Sequence, residues 1–192
     1  MRNMIKQSAK GILGMFLMLS VFTACDSDDP EPVNEEELIT TVELTFTNDN
    51  DASDVVSASF TDLDGEGGND PIIDNISLMA NATYTLTVKF LNEEETPAED
   101  ITEEVEEEDD EHQVFYIATG VNGFTYSYND ADDNQNPLGL EGTVTTGAAG
   151  DGSLRVVLVH EPNKTASGVS AGDITNAGGE ADIDVTFNLS IQ

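Results

Sequence analysis

Residues 182–191 read DIDVTFNLSI, and this stretch decides the fold. An apolar side chain occupies every second position: Ile183, Val185, Phe187, Leu189 and Ile191. Successive side chains of an extended strand point to opposite faces, so this alternation predicts a β-strand with one buried and one solvated face. The 3.6 residues per turn of an α-helix would instead scatter the same side chains around its axis.

Similar runs recur along the chain and are separated by turns rich in Gly, Asn and Asp. They cover residues 42–46, 56–60, 84–90, 114–118, 124–128, 143–145 and 154–159. Many short strands at such intervals are typical of sandwiches. The sequence therefore predicts an all-β fold: one antiparallel β-sandwich of eight or nine strands over residues 38–192, immunoglobulin-like in the loose sense.

One segment, residues 96–110, departs from the strand pattern. Thr96-Pro97-Ala98-Glu99 has the form of a helix capping box with proline at the first helical position. Ala98, Ile101 and Val105 then share one stripe of a helix. Of the 19 residues from Glu93 to Glu111, 13 are acidic, so like charges repel along this surface. We expect one short acidic helix or turn here.

The amino-terminal residues 1–24 have the form of a secretory signal. Three basic residues are followed by an apolar run over 11–24, which is shorter than the roughly 20 residues that a membrane-spanning helix needs. The only cysteine, Cys25, follows this run directly, so no intrachain disulfide can form. The order Phe22-Thr23-Ala24-Cys25 resembles the lipobox of bacterial lipoproteins, which implies a Cys25 carrying a diacylglyceryl group and acyl chains such as palmitate.

Residues 25–37 follow as an acidic tether. The segment contains Pro30, Pro32 and several acidic residues, so it repels itself and has no apolar surface to bury. Ser27-Asp28-Asp29 resembles the export signal of surface-exposed lipoproteins in Bacteroidota-type bacteria. The expected location is the outer membrane, anchored by lipid and displayed on the cell surface, with the periplasmic face as the alternative.

The charge of the chain is strongly negative beyond the signal. The residues after Cys25 keep three basic side chains against all 39 acidic ones, a formal charge of −36. Such a field repels nucleic acid and anionic lipid headgroups, and it attracts divalent cations and basic partners. Adaptation to a salty medium, where the charges are screened, is the alternative explanation.

Two acidic runs have the ligand spacing of calcium loops. Asp62, Asp64 and Glu66 stand at positions 1, 3 and 5 of an EF-hand-type loop, but position 12 is Ile73. In the second run, ligand types occupy positions 1, 3, 5 and 12: Asp130, Asp132, Asn134 and Glu141. Calcium is therefore a candidate cofactor. A polar turn, in which Asp, Asn and Gly serve backbone geometry, is the alternative at each place.

The two histidines are His112, at the start of one predicted strand, and His160, at the end of another. If a sheet brings them together, they become candidate ligands for a transition metal or a haem, with Tyr116, Tyr126 and Tyr128 in support. Separate surface or capping histidines are the alternative.

Motifs of known enzyme classes are absent from the sequence. There is no Gly-x-Ser-x-Gly, no P-loop and no His-Glu-x-x-His, and Cys25 is assigned to the lipid. With 39 acidic residues, no pair of carboxylates indicates acid–base catalysis by itself. We expect a protein that is not an enzyme.

The carboxyl-terminal half carries a resemblance to known proteins. Residues 111–116, 136–140, 158–162 and 179–185 resemble a family of functionally unassigned Bacteroidota-type surface lipoproteins. The resemblance implies an association with TonB-dependent outer-membrane receptors. The leading hypothesis is a noncatalytic module that binds a ligand or metal ion for such a partner. A structural or adhesive surface protein is the alternative, and a hydrolase is a third hypothesis.

Overall fold

The computed structural model describes residues 37–65 and 67–192. The predicted signal, Cys25 and the tether up to residue 36 lie outside the described residues, as does Glu66. Within the described part, no helix is long and apolar enough to cross a membrane.

The described residues form eleven strands and one α-helix. In chain order these are β1 Thr41–Asn48, β2 Asp51–Thr61, β3 Ile72–Ile73, β4 Asn75–Leu78, β5 Thr83–Asn92, β6 Glu99–Asp100, α1 Ile101–Glu107, β7 His112–Thr119, β8 Thr125–Tyr128, β9 Glu141–Thr145, β10 Gly150–His160 and β11 Glu180–Ile191. Two short 3₁₀ turns, Val169–Ala171 and Ile174–Asn176, lie between β10 and β11.

The strands form two sheets. The first has the order β3-β2-β1-β5-β9-β8, with β6 also paired to β5, and the second has the order β4-β11-β10-β7. The predicted all-β sandwich is confirmed. One pair departs from the antiparallel arrangement, because β4 runs parallel to β11 and pairs Asn75 with Asn188.

The alternating residues of both sheets meet in one apolar core. Phe46, Tyr84, Phe90 and Phe187 are fully buried in it, as the period-two pattern predicts. Burying a side chain of this size contributes about 1.5–3 kcal/mol relative to leaving it exposed.

A second, smaller apolar cluster covers part of the outer face of the second sheet. Phe115, Val157 and Val159 pack there against Val169 and Ala177 of the 161–179 connection. The second sheet is therefore buried on both faces around β7 and β10, which holds the adjoining ends of these strands in place.

The predicted short acidic helix is present as α1, but it begins four residues after the position that the capping box indicated. Residues 99–100 pair with β5 as β6, so the chain is still extended there. Asp100 then caps the helix by accepting from the Thr102 amide. Ile101 and Val105 are buried as expected, whereas Ala98 is exposed.

Candidate metal centre

The two histidines meet at one end of the second sheet. β7 begins at His112 and β10 ends at His160, and the antiparallel register places these residues opposite each other. Their rings stack with centroids 4.7 Å apart and planes 11° from parallel. The structure thus brings together the two candidate ligands from positions 48 residues apart in the chain.

Three candidate ligands, Glu111, His160 and Glu161, lie together at this end of the second sheet. One oxygen each of Glu111 and Glu161 and one ring nitrogen of His160 all lie within 4.8 Å of one another. His160 Nε2 is 3.5 Å from Glu111 Oε2. We call these three residues the outer group.

The backbone holds the outer group in place. The Glu161 amide donates to the Glu111 carbonyl at 2.7 Å, which ties the end of β10 to the start of β7. Glu161 has φ 51°, a left-handed conformation that non-glycine residues seldom adopt. Such backbone strain is commoner at functional sites than elsewhere.

His112 lies beneath this surface, and its side chain is 1 % exposed. Its Nδ1 is 3.2 Å from the carbonyl oxygen of Glu108, a geometry that makes Nδ1 the proton donor. Nε2 then carries the lone pair of the neutral ring, and it lies 3.8 Å from Asp182 Oδ2. Burial lowers the pKa of His112 and favours this neutral form.

Asp182 lies next to the histidine pair, at a place that the sequence pattern did not predict. Strict alternation put it on the solvated face of β11, yet its side chain is 1 % exposed. The cause is a β-bulge: Leu158 pairs with Ile183 and Val159 with Ala181, so Asp182 is the extra residue. A bulge re-aims side chains, and no local motif in residues 182–191 signals it.

Carboxyl groups crowd the same end of the sheet. Glu37, the last residue of the predicted tether, is half-buried, and Glu104 of α1 lies near its carboxyl group. Burial, the charge of Glu104 and the nearby Asp182 raise the pKa of Glu37 to about 7. This end of the sheet is therefore strongly negative.

The second predicted calcium run uses its carboxylates differently. Asp130 accepts from the amides of Gly139 and Glu141 at 2.7 and 2.8 Å. Asp132 accepts from the amides of Asn134 and Asn136, and its Oδ2 lies 3.2 Å from Lys164 Nζ.

Asp132 and Lys164 form a buried ion pair, with side chains 1 % and 4 % exposed. Burial raises the pKa of Asp132, but hydrogen bonds from Asn136 and Lys164 outweigh it and hold that pKa below its usual value. The Lys164 ammonium thus places beside Asp132 the positive charge that a calcium ion would otherwise provide. Lys164 also donates a hydrogen bond to the Asp109 carbonyl.

The first predicted calcium run lies in an exposed loop. Asp62 accepts from the Gly65 amide at 3.0 Å, and Asp64 accepts from the Asn69 amide at 3.1 Å. These contacts are those of a polar turn.

The three tyrosines form a separate cluster. Tyr116 and Tyr126 have ring centroids 4.2 Å apart, and Tyr126 lies 5.0 Å from Tyr128. The Tyr116 hydroxyl donates to the Gly139 carbonyl, and the Tyr128 hydroxyl donates to the Val114 carbonyl. Burial raises the pKa of Tyr128 to about 12, so this hydroxyl stays protonated. Tyr116 thus fastens the loop before β9, and Tyr128 ties β8 to β7, so these hydroxyls serve the fold rather than the histidines.

The fold and the candidate site together describe an acidic β-sandwich. A stacked histidine pair and several carboxylates lie at one end of its second sheet. Protein-family models, curated proteins and solved structures were all compared with the chain, and none of them matched it.

Proposed function

We propose that this chain is a noncatalytic lipoprotein of the outer membrane, anchored through Cys25 and displayed on the cell surface, that binds a divalent transition-metal ion. It delivers the ion to an outer-membrane receptor of the TonB-dependent kind. The sequence features of residues 1–37 and the family resemblance support the location and the partner.

The observation that carries the metal-binding function is the outer group. An imidazole and two carboxylates converge within 4.8 Å at a surface that an ion can reach. First-row transition metals such as Zn²⁺ bind imidazole and carboxylate together, whereas Ca²⁺ prefers six to eight oxygen ligands. The outer group therefore favours a transition metal over calcium.

The charge of the chain supports the same function. The described residues contain three basic side chains, and each is paired: Lys89 with Asp100, Arg155 with Asp184 and Lys164 with Asp132. Glu111 and Glu161 are thus left without a lysine or arginine partner among them. A field of this sign concentrates cations near the surface and speeds their capture.

Titration of the purified, chelator-treated chain with Zn²⁺ or Cu²⁺ tests this function. High salt and excess Mg²⁺ suppress unspecific binding to the many carboxylates. We expect His160→Gln and Glu161→Gln to weaken binding at least tenfold. The matched control is Glu43→Gln, an exposed carboxylate on β1, which should leave the affinity unchanged. Equal binding by all four proteins would contradict the proposal.

The location has its own test. Metabolic labelling with a fatty acid should mark the wild-type chain and not Cys25→Ser, and external protease should degrade the chain on intact cells. An unlabelled wild-type chain would contradict the lipid anchor. Metal-independent capture of envelope polymers would favour the structural or adhesive alternative, and turnover lost in His160→Ala would favour a hydrolase.

A further inference from the structure

The Asp132 carboxylate joins two nitrogen-bearing side chains that come from different loops. Its Oδ2 lies 3.2 Å from Lys164 Nζ and 3.2 Å from Asn136 Nδ2. Its Oδ1 accepts from the backbone amides of Asn134 and Asn136 at 2.9 and 2.8 Å, which fixes the carboxylate in the loop before β9. Lys164 belongs to the 161–179 connection. One carboxylate oxygen therefore holds an amine from one loop beside a carboxamide from another.

An amine held beside a carboxamide can form a covalent amide with it. We infer that Lys164 Nζ and the side-chain carbonyl carbon of Asn136 form an isopeptide bond in the folded chain, with Asp132 carrying the protons. Lysine amines that are shielded from water serve as nucleophiles, and positioned carboxylates transfer protons. This modification site goes beyond the proposed function, because none of its residues belongs to the outer group.

The reaction balances without a co-reactant. The Lys164 ammonium gives a proton to Asp132 Oδ2, and the neutral amine attacks Cγ of Asn136. The bond between Cγ and Nδ2 then breaks, while Asp132 returns that proton to Nδ2, which it already contacts. A second proton passes from the attacking nitrogen to the leaving nitrogen by the same route. One C–N bond is formed, one is broken, ammonium departs, Asp132 ends as a carboxylate, and nothing is oxidised.

Burial makes the reactive amine accessible. The side chains of Lys164 and Asp132 are 4 % and 1 % exposed. Because water is kept from both charges, a proton transfer that leaves two neutral groups costs less here than at the surface. The ion pair is the resting form, and Nζ turns from the Asp109 carbonyl toward Asn136 before it attacks. The bond therefore forms slowly and after folding, so the freshly folded chain carries the ion pair.

The residue that follows Asn136 preserves its carboxamide for this reaction. Asparagine side chains ordinarily lose ammonia when the backbone nitrogen of the next residue attacks them. Pro137 follows Asn136, and proline has no backbone N–H. Asn122, by contrast, is followed by Gly123 and can react in the ordinary way.

Mass spectrometry of the full chain, purified in detergent, tests the bond. Samples incubated over days are denatured in urea, cleaved with a protease that acts after acidic residues, and sequenced by fragmentation. We expect the peptides of Asn136 and Lys164 to appear as one branched species, lighter than their sum by one ammonia. Unlinked peptides at the end of the incubation would overturn the inference. A branched species lighter by one water would also overturn it, because Lys164 would then be joined to a carboxylate.

Lys164→Arg keeps a positive charge beside Asp132, but the guanidinium stays protonated and does not attack. We expect unlinked peptides from this variant and an unchanged circular dichroism spectrum. The matched control is Lys89→Arg, at an ion pair whose lysine side chain is 55 % exposed, and it should keep the branched species. Ammonia loss that persists in Lys164→Arg would place the reaction at Asn122 and contradict the inference.

Two further variants separate the acceptor from the proton carrier. Asn136→Ser removes the acceptor, so we expect no branched species from it. Asp132→Asn removes the proton carrier and should slow the linkage to Asn136 at least tenfold. A branched species that persists in the first variant, or an unchanged rate in the second, would refute these roles. The wild-type measurement does not depend on the folding of any variant.

Discussion

Removal of the Lys164 ammonium is the sharpest test of how the loop before β9 is held. Lys164 and Asp132 are 4 % and 1 % exposed, and breaking a buried pair of this kind costs about 3–5 kcal/mol because the remaining charge stays buried. Asp132 keeps the amide hydrogen bonds from Asn134 and Asn136. We therefore expect Lys164→Met to lower the free energy of unfolding by about 3 kcal/mol, the low end of this range.

The measurement is urea unfolding followed by circular dichroism, with thermal unfolding in parallel. For a domain of this size, the expected loss lowers Tm by about 6–12 °C, from about 2–4 °C per kcal/mol. The matched control is Arg155→Met, which removes an ion pair that is 43 % and 44 % exposed. Exposed pairs contribute at most about 1 kcal/mol. Equal losses in the two variants would refute the reasoning from burial, and the double variant Lys164→Met with Asp132→Asn should recover part of the loss.

Three further predictions concern single residues of the sandwich. Asp100→Ala removes the cap of α1 and should cost about 0.5–2 kcal/mol in urea unfolding, and an unchanged midpoint would contradict its capping role. Gly179→Ala should destabilise the start of β11, because the residue has φ 70° and an added Cβ would overlap the His160 carbonyl oxygen; equal urea midpoints would argue against this packing. The raised pKa of Glu37 contributes stability that is present below the unfolded value of 4.5 and is lost as the pH rises through about 7. Urea midpoints of the chelated chain should therefore fall over this range, and Glu37→Gln should flatten the dependence, whereas parallel curves would contradict it.

The fold was predictable where the strands are half-buried. In β1, β5 and β11 the apolar side chains alternate with polar ones, and one face of each strand lies in the core. Period two follows from the geometry of a single strand, so no knowledge of the partner strands is needed. This is why the all-β sandwich emerged from the sequence alone.

The prediction was weaker where a distant segment changes the environment. Phe115 and Val157 are buried on the outer face because the 161–179 connection covers them. The start of α1 was displaced because residues 99–100 pair with β5. Both effects depend on contacts that local patterns do not encode.

The candidate site shows the same division. The sequence named His112 and His160, but their stacking depends on the register between β7 and β10. The pattern placed Asp182 on the solvated face of β11, but a β-bulge turns its side chain inward. Glu161 was not predicted because its orientation depends on a left-handed backbone conformation. Residue types indicate which chemistry is available, whereas long-range pairing decides which groups meet.

The position of β11 in the second sheet also sets the order in which the strands of that sheet can pair. β11 lies between β4 and β10, although it is the last strand along the chain. A chain synthesised amino end first exposes β4 and β10 without their shared neighbour until residues 180–191 are made. Pairings this distant in sequence form slowly. The second sheet therefore closes only once residues 180–191 are available, and a chain that stops short of residue 180 leaves the edges of β4 and β10 open to aggregation.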